Sequence, residues 1–190
     1  MATSFGPSAI ATPANAVTIG RLAFSPLLWA LIVATDASSW AAVVLWTVLA
    51  STDGLDGWLA RRMGTTRSGA FLDPLADKAL VIGAMWAVVA AGRFWWVPVA
   101  LITVREAAIS AFRSYWGRQG LAVPARFWAK VKTVVQSVAV GVALAPWFED
   151  QDAFVAFVLW VAVGLTLVTG AQYLLEGSRS TSSGGVRQKV

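Results

Sequence analysis

The sequence lacks two residue types that carry much of enzyme chemistry, because none of its 190 residues is a cysteine or a histidine. Without cysteine there are no disulfides, no thiolate metal sites and no thiol nucleophile, and without histidine the commonest general base is missing. Charged residues are also scarce, at 13% of the chain. Any chemistry must therefore use a small set of carboxylates, lysines, arginines and hydroxyl groups.

Hydrophobic residues are abundant instead, at 57% of the chain. Several apolar runs approach the ~20 residues that cross a hydrocarbon layer, and such a layer admits only helices or closed barrels. Runs of Ala, Val, Leu and Trp without alternation favour helices. We therefore predict an all-α integral membrane protein with six transmembrane helices. They span residues 17–34, 40–61, 69–91, 95–116, 127–146 and 153–175.

The basic residues predict the orientation, because cytoplasmic loops are enriched in Lys and Arg. The connections after the second and fourth helices and the C-terminal segment hold most of them, whereas Arg93 alone lies in the opposite connections. Both termini are thus expected in the cytoplasm, in a multi-pass protein of the cell membrane. Charges placed among membrane spans suit anionic lipids or phosphorylated substrates, and they argue against nucleic acid. The predicted cytoplasmic set is Arg61, Arg62, Arg67, Arg118, Arg126, Arg179, Arg187 and Lys189.

The ends of the chain have their own composition. The first 15 residues have no basic region before an apolar stretch, which is unlike a signal peptide. Residues 177–190 are rich in Ser and Gly and are predicted to be a disordered cytoplasmic tail. Residues 1–176 are predicted to form a single membrane domain.

Four aspartates interrupt the apolar pattern of the second and third predicted helices. Asp53 and Asp56 are three residues apart, Asp73 and Asp77 are four apart, and each pair shares one helical face. The short basic connection makes the two helices antiparallel neighbours, so both pairs can converge near the cytoplasmic surface. An ionised carboxylate in a membrane helix is costly and therefore indicates a functional site.

A divalent cation would relieve the repulsion among these carboxylates. Ligation by oxygen alone suits a hard ion such as Mg²⁺ or Mn²⁺, which also binds substrate phosphates. Two ions about 3.5 to 4 Å apart would clamp a pyrophosphate and stabilise its displacement. Gly57 and Ala60 continue the face of Asp53 with little side-chain bulk, which leaves room for a nucleotide.

Two other interpretations of the aspartates stay open. One is a cation-transporter site, although such sites usually lie near the membrane midplane, at broken helices. A cluster near a cytoplasmic end, beside arginines, better suits a phosphorylated substrate. The other is a set of structural ion pairs with the basic residues nearby. These are Arg61, Arg62, Arg67 and Lys78.

The aspartates belong to a longer pattern, D-x2-D-G-x2-A-R-x7-G-x3-D-x3-D, which residues 53–77 match at every fixed position. It resembles the signature of the CDP-alcohol phosphotransferases. The resemblance implies a six-helix membrane fold, usually a homodimer, with a metal site open to the cytoplasmic leaflet. It implies that Asp53, Asp56 and Asp73 bind metal ions, and that Asp77 assists them and acts as the general base. The positions implied to bind the CDP-lipid are Asp56, Gly57, Ala60, Arg61, Gly69 and Asp73.

Other segments resemble the bacterial members that make phosphatidylglycerophosphate. Residues 14–21, A-N-A-V-T-I-G-R, resemble their N-terminal stretch, although Ala14 replaces the usual proline, and residues 71–78, F-L-D-P-L-A-D-K, resemble their form of the third helix. The match continues through residues 105–136 and ends near Pro146. It implies transfer of a phosphatidyl group from CDP-diacylglycerol to sn-glycerol 3-phosphate, giving phosphatidylglycerophosphate and CMP.

Basic residues of the later helices suit the phosphate of this acceptor. Arg105 and Glu106 lie within an apolar run, where an unpaired charge is costly. Arginine offers a planar fork to a phosphate, and lysine offers a point charge. For Arg126, Lys130 and Lys132 the alternative is an ordinary cytoplasmic positive charge. The predicted acceptor-phosphate set is Arg105, Arg113, Lys130, Lys132 and, through the N-terminal resemblance, Arg21.

Three rival functions remain. Phosphatidylglycerol as acceptor would give cardiolipin, and inositol phosphate would give phosphatidylinositol phosphate. The D-P-x-A-D-K form argues mildly against the inositol enzymes. A cation transporter would move ions without releasing CMP.

Overall fold

The computed structural model describes the backbone of residues 13–63, 67–118 and 127–184 and the side chains of residues 16–52, 75–112, 114–115 and 131–172. Within these ranges the chain is all-helical, as predicted, and most helix ends lie within a few residues of their predicted positions. The helices are α1 (Pro13–Ala34), α2 (Trp40–Met63), α3 (Arg67–Ala90), α4 (Trp96–Arg118), α5 (Phe127–Leu144) and α6 (Asp152–Gly184), with a 3-10 turn at Pro146–Phe148.

The end of α6 differs from the sequence prediction. The sequence predicts an end at Leu175 and a disordered tail from residue 177, whereas the helix continues to Gly184. Residues 176–184 contain no proline, and a helix nucleated by a long apolar segment can extend through weak helix formers such as Ser and Gly. Residues 185–190 lie outside the described part of the chain.

Within the described residues, two helices have the length and apolar character needed to cross a membrane. They are α1, over Ala16–Ala34, and α6, over Asp152–Gln172. Shorter apolar segments occupy Trp40–Thr52 of α2 and Val131–Leu144 of α5. Polar and charged residues interrupt the central helices and lower their hydropathy, so six spans stay a prediction.

The helices pack as two groups that meet along α3 and along a contact between α2 and α5. Helix α1 lies against α2 and α3, and α6 lies against α4 and α5; α3 then contacts both α4 and α5. Small residues permit this packing, which matters in a membrane because close backbone approach drives helix association there. At Gly83, for example, a Cβ atom would collide with the indole ring of Trp29 on α1. The buried alanines between helices include Ala42, Ala84, Ala139, Ala143 and Ala162.

Helix α3 ends in a Schellman motif at Gly92, which has a positive φ of 77°. The Gly92 N–H donates to the Val89 carbonyl at 2.9 Å, and the Arg93 N–H donates to the Val88 carbonyl at 3.1 Å. These bonds satisfy carbonyls that the last helical turn leaves free.

Arg93 then connects this end of α3 to the segment between α5 and α6. Its guanidinium donates to the carbonyls of Phe148 and Glu149, the latter at 2.7 Å, and lies 3.9 Å from Asp152. The one basic residue among the predicted outer connections is therefore bound to backbone carbonyls and a carboxylate.

Candidate active site

A polar cavity of about 150 Å³ lies where α3, α4 and α5 meet. Three side chains predicted as site residues line it together, although they come from three separate helices: Asp77 from α3, Arg105 from α4 and Lys132 from α5. Their roles stay predictions, but the geometry places a carboxylate and two cations around one small space. The other polar residues of the lining are Lys78, Glu106, Thr133 and Gln136.

Glu106 organises the cations of this cavity. Its side chain is buried, and its Oε1 atom accepts hydrogen bonds from Arg105 Nη1, at 2.9 Å, and from Lys132 Nζ. Its Oε2 atom lies 3.8 Å from Lys78 Nζ. With Asp77 in the same lining, the described residues of the cavity hold three cations and two carboxylates, an excess of one positive charge that suits a bound anion.

Hydroxyl and amide groups support the charged side chains. Lys78 Nζ donates to Ser110 Oγ, which itself donates to the Glu106 carbonyl at 2.6 Å. From α6, Thr169 Oγ1 accepts from Arg105 Nη2 at 3.0 Å, and Thr166 Oγ1 accepts from Gln136 Nε2 at 2.8 Å. Neither Ser110 nor the two α6 threonines were predicted from the sequence as site residues. Two threonines three residues apart within an apolar span were the signal that could have indicated them.

Arg21 lies in a different place from the other predicted acceptor residues. It is buried on α1, 1% exposed, and its Nε donates to Thr52 Oγ1 on α2 at 3.1 Å. Among the described residues, the cavity lining comes from α3, α4 and α5 and does not include Arg21. Since Thr52 directly precedes Asp53, Arg21 instead lies beside the start of the aspartate motif.

The remaining predicted site residues lie in described helices, but their side chains are outside the described part of the structure. Asp53 and Asp56 belong to α2, and Asp73 belongs to α3 one turn before Asp77. The described side chains alone include no group of three or more His, Cys, Asp or Glu residues that could hold a metal ion. Asp77 supplies a carboxylate of the kind that Mg²⁺ prefers. The other predicted residues outside the described side chains are Gly57, Ala60, Arg61, Gly69, Arg113 and Lys130.

An apolar groove adjoins the cavity. It has a volume of about 600 Å³, lies between α2, α3 and α5, and extends from Asp77 to Trp40 and Trp147. Residues 40–51 of α2 follow it, a length of about 16 Å at the rise of an α-helix. Asp77, Val81 and Thr133 line both spaces, so the half-buried Asp77 carboxylate borders a polar cavity and an apolar groove.

Comparison with known proteins adds a family match to this geometry. A family model described as CDP-alcohol phosphatidyltransferase matches residues 11–168. The probable phosphatidylglycerophosphate synthase of Mycobacterium tuberculosis is 38% identical over 189 residues, covering 96% of this chain and 88% of the relative. A CDP-diacylglycerol–glycerol-3-phosphate 3-phosphatidyltransferase of Escherichia coli is 43% identical over 143 residues, covering 72% of this chain and 78% of the relative. The protein of that name from Haemophilus influenzae is 33% identical over 144 residues, covering 73% of this chain and 78% of the relative.

Proposed function

Because the chain belongs to the CDP-alcohol phosphatidyltransferase family and is an enzyme of that class, we propose that it transfers a phosphatidyl group from CDP-diacylglycerol to sn-glycerol 3-phosphate. The products are phosphatidylglycerophosphate and CMP. The names of two relatives support both substrates, and the name of a third supports the product. The observation that carries the proposal is the cation-lined cavity that meets an apolar groove at Asp77.

The cavity suits the phosphate of the acceptor. Arg105 can present its planar fork to phosphate oxygens, while Lys78 and Lys132 supply point charges from two other helices. A volume of about 150 Å³ suits a small phosphorylated alcohol. Arg113 and Lys130 complete the proposed acceptor set, and Arg21 is left out of it because its Nε donates to Thr52 beside the aspartate motif.

The groove suits an acyl chain of the donor lipid. Its lining is mostly apolar, and its far end lies at Trp40 and Trp147, whose rings are 4.7 Å apart in an edge-to-face arrangement. A lipid with its chains along this groove would hold its pyrophosphate near Asp77. On this proposal the CDP part contacts Asp56, Gly57, Ala60, Arg61, Gly69 and Asp73.

Enzymes of this family depend on divalent metal ions. We assign two ions, Mg²⁺ or Mn²⁺, to Asp53, Asp56, Asp73 and Asp77, and their charge would offset the negative charge on the pyrophosphate and the leaving CMP. Only Asp77 of this set has a described side chain, and its carboxylate oxygens fit a hard ion.

The residues of this chain then perform three tasks. Arg105 and Lys132 bind the phosphate of the acceptor and so orient the hydroxyl of its glycerol part towards the donor. Asp77 accepts the proton of that hydroxyl while its oxygen attacks the phosphorus that bears the diacylglycerol. The bond from this phosphorus to the CMP oxygen breaks, and CMP leaves with the bonding electrons.

The proposed setting is a cell membrane that the chain spans six times as a homodimer, with both termini and the metal site at the cytoplasmic face. The basic connections support this orientation. The opposite end carries exposed tryptophans, Trp40, Trp95 and Trp147, as expected at a membrane interface.

The test is metal-dependent CMP release by the purified protein in detergent with CDP-diacylglycerol. Glycerol 3-phosphate, phosphatidylglycerol and inositol phosphate are compared as acceptors, each with Mg²⁺, with Mn²⁺ and with excess chelator. We expect release only with glycerol 3-phosphate and metal. Release only with another acceptor would contradict the assigned substrate while retaining the reaction class, and metal-dependent ion flux without CMP release would indicate a transporter.

A further inference from the structure

Helix α6 contacts the arginine of the proposed acceptor site without lining the cavity in its described part. Thr169 Oγ1 accepts a hydrogen bond from Arg105 Nη2 at 3.0 Å. At the next residue, Gly170, a Cβ atom would lie 2.9 Å from Arg105 Nε and 3.4 Å from its Cγ. Gly170 therefore provides the space in which the Arg105 side chain lies.

The Thr169 hydroxyl is oriented as an acceptor. Its own hydrogen is directed to backbone carbonyls of the same helix, with Oγ1 at 2.7 Å from the Leu165 oxygen and 3.1 Å from the Thr166 oxygen. Because a hydroxyl has one donor and two acceptor positions, a lone pair is left for Arg105. The threonine thus binds the guanidinium at a fixed angle.

Both terminal nitrogens of the Arg105 guanidinium donate hydrogen bonds within the protein. Nη1 donates to Glu106 at 2.9 Å, Nη2 donates to Thr169, and only 10% of the side chain is exposed. Since the group is planar and rigid, a displacement at Nε would move both terminal nitrogens together. A methyl group at residue 170 would therefore change the direction of the fork.

We propose that Gly170 and Thr169 are positioning residues that orient Arg105 towards the acceptor's phosphate, so that α6 sets acceptor affinity without contacting the substrate. This inference rests on the proposed function, since it assigns the phosphate to the Arg105 cavity. It extends the site to α6, which lies outside the aspartate motif of residues 53–77.

The first experiment compares Gly170→Ala with Gly164→Ala. Gly164 is exposed on the same helix, and a Cβ atom there would meet nothing within 4 Å. For Gly170→Ala we expect KM for glycerol 3-phosphate to rise roughly 10-fold or more, while KM for CDP-diacylglycerol changes less than about 2-fold. For Gly164→Ala we expect both KM values to match those of the wild type. Equal acceptor KM values for the two variants would overturn the proposal.

A second pair of variants keeps the test valid should Gly170→Ala fail to fold. Thr169→Val removes the acceptor oxygen at nearly constant volume, whereas Thr169→Ser retains it. We expect the valine variant to raise the acceptor KM and the serine variant to restore it to within about 3-fold of the wild type. A role in packing alone predicts the reverse order, because valine fills the space better than serine.

A double-mutant cycle connects Gly170 to Arg105. Without the arginine side chain a methyl group at residue 170 has nothing to displace, so Gly170→Ala should add no further effect in an Arg105→Ala background. If the increases in acceptor KM of the two single variants multiplied in the double variant, the proposal would be contradicted.

Calorimetric titration of glycerol 3-phosphate separates this inference from the proposed function. Weaker binding by Gly170→Ala than by Gly164→Ala supports it even if CMP is never released, in which case only the proposed reaction fails. Turnover with normal glycerol 3-phosphate binding by Gly170→Ala would leave the reaction intact and overturn the inference alone. No binding by the wild type would also overturn it.

Discussion

At the residue scale, Asp77 is the described carboxylate that borders both the cavity and the groove. The proposed roles make it a proton acceptor, and a general base typically contributes about 10² to 10⁴ in rate. An amide at this position keeps the shape of the side chain but accepts no proton.

We expect Asp77→Asn to lower kcat for CMP release at least about 100-fold while some binding of CMP remains. Asp36→Asn is the matched control, because Asp36 is exposed in the turn after α1, at the opposite end of the molecule. Full activity of Asp77→Asn would exclude Asp77 as the base.

Glu106 is the second residue on which the cluster depends. Removing one partner of a buried ion pair leaves uncompensated charge and typically costs about 3 to 5 kcal/mol. We therefore expect Glu106→Gln to lower the melting temperature of the purified protein, since three cations would surround a neutral amide.

Added glycerol 3-phosphate should raise the melting temperature of Glu106→Gln more than that of the wild type, because the anion supplies missing negative charge. Asp150→Asn, at an exposed position, should melt like the wild type. Equal melting temperatures of Glu106→Gln and the wild type would show that the stability of the cluster does not depend on the Glu106 carboxylate.

At the element scale, the helices were predictable because long apolar runs end at polar, Gly or Pro residues. Charges inside such runs also indicated Asp77 and Arg105 as site residues, the family resemblance added Lys132 at the start of the fifth helix, and the fold brings the three together. The sharing of Glu106 among three cations was not predictable, because Lys78 and Lys132 are 28 and 26 residues away in the sequence and approach it only through helix packing. The roles of Asp53, Asp56 and Asp73 stay predictions.

The turn after α3 gives a prediction at this scale. Gly92 has a φ of 77°, and a Cβ atom there would meet no neighbour, so Gly92→Ala changes only backbone conformational energy. We expect a loss of about 1 to 2 kcal/mol, seen as a lower melting temperature, with Gly164→Ala as the control of normal φ. Unchanged melting would contradict a conformational requirement at Gly92.

At the scale of the whole molecule, the predicted orientation places the segment between α5 and α6 outside and the C-terminal segment inside. The chain contains no cysteine, so a single introduced thiol can be labelled without background. We expect Asp150→Cys to react with a membrane-impermeant maleimide in intact cells and Ser183→Cys to react only after lysis. The opposite pattern would invert the predicted topology.

The position of Asp77 between two unlike spaces has a consequence for how the proposed reactants meet. Glycerol 3-phosphate dissolves in water and CDP-diacylglycerol in lipid, and chemists normally join such partners by phase transfer, carrying one of them into the other's solvent. A polar cavity and an apolar groove that share a single carboxylate make that transport unnecessary. On the proposed roles each reactant stays in its own phase, and the side chains of Asp77, Val81 and Thr133 alone lie between the two.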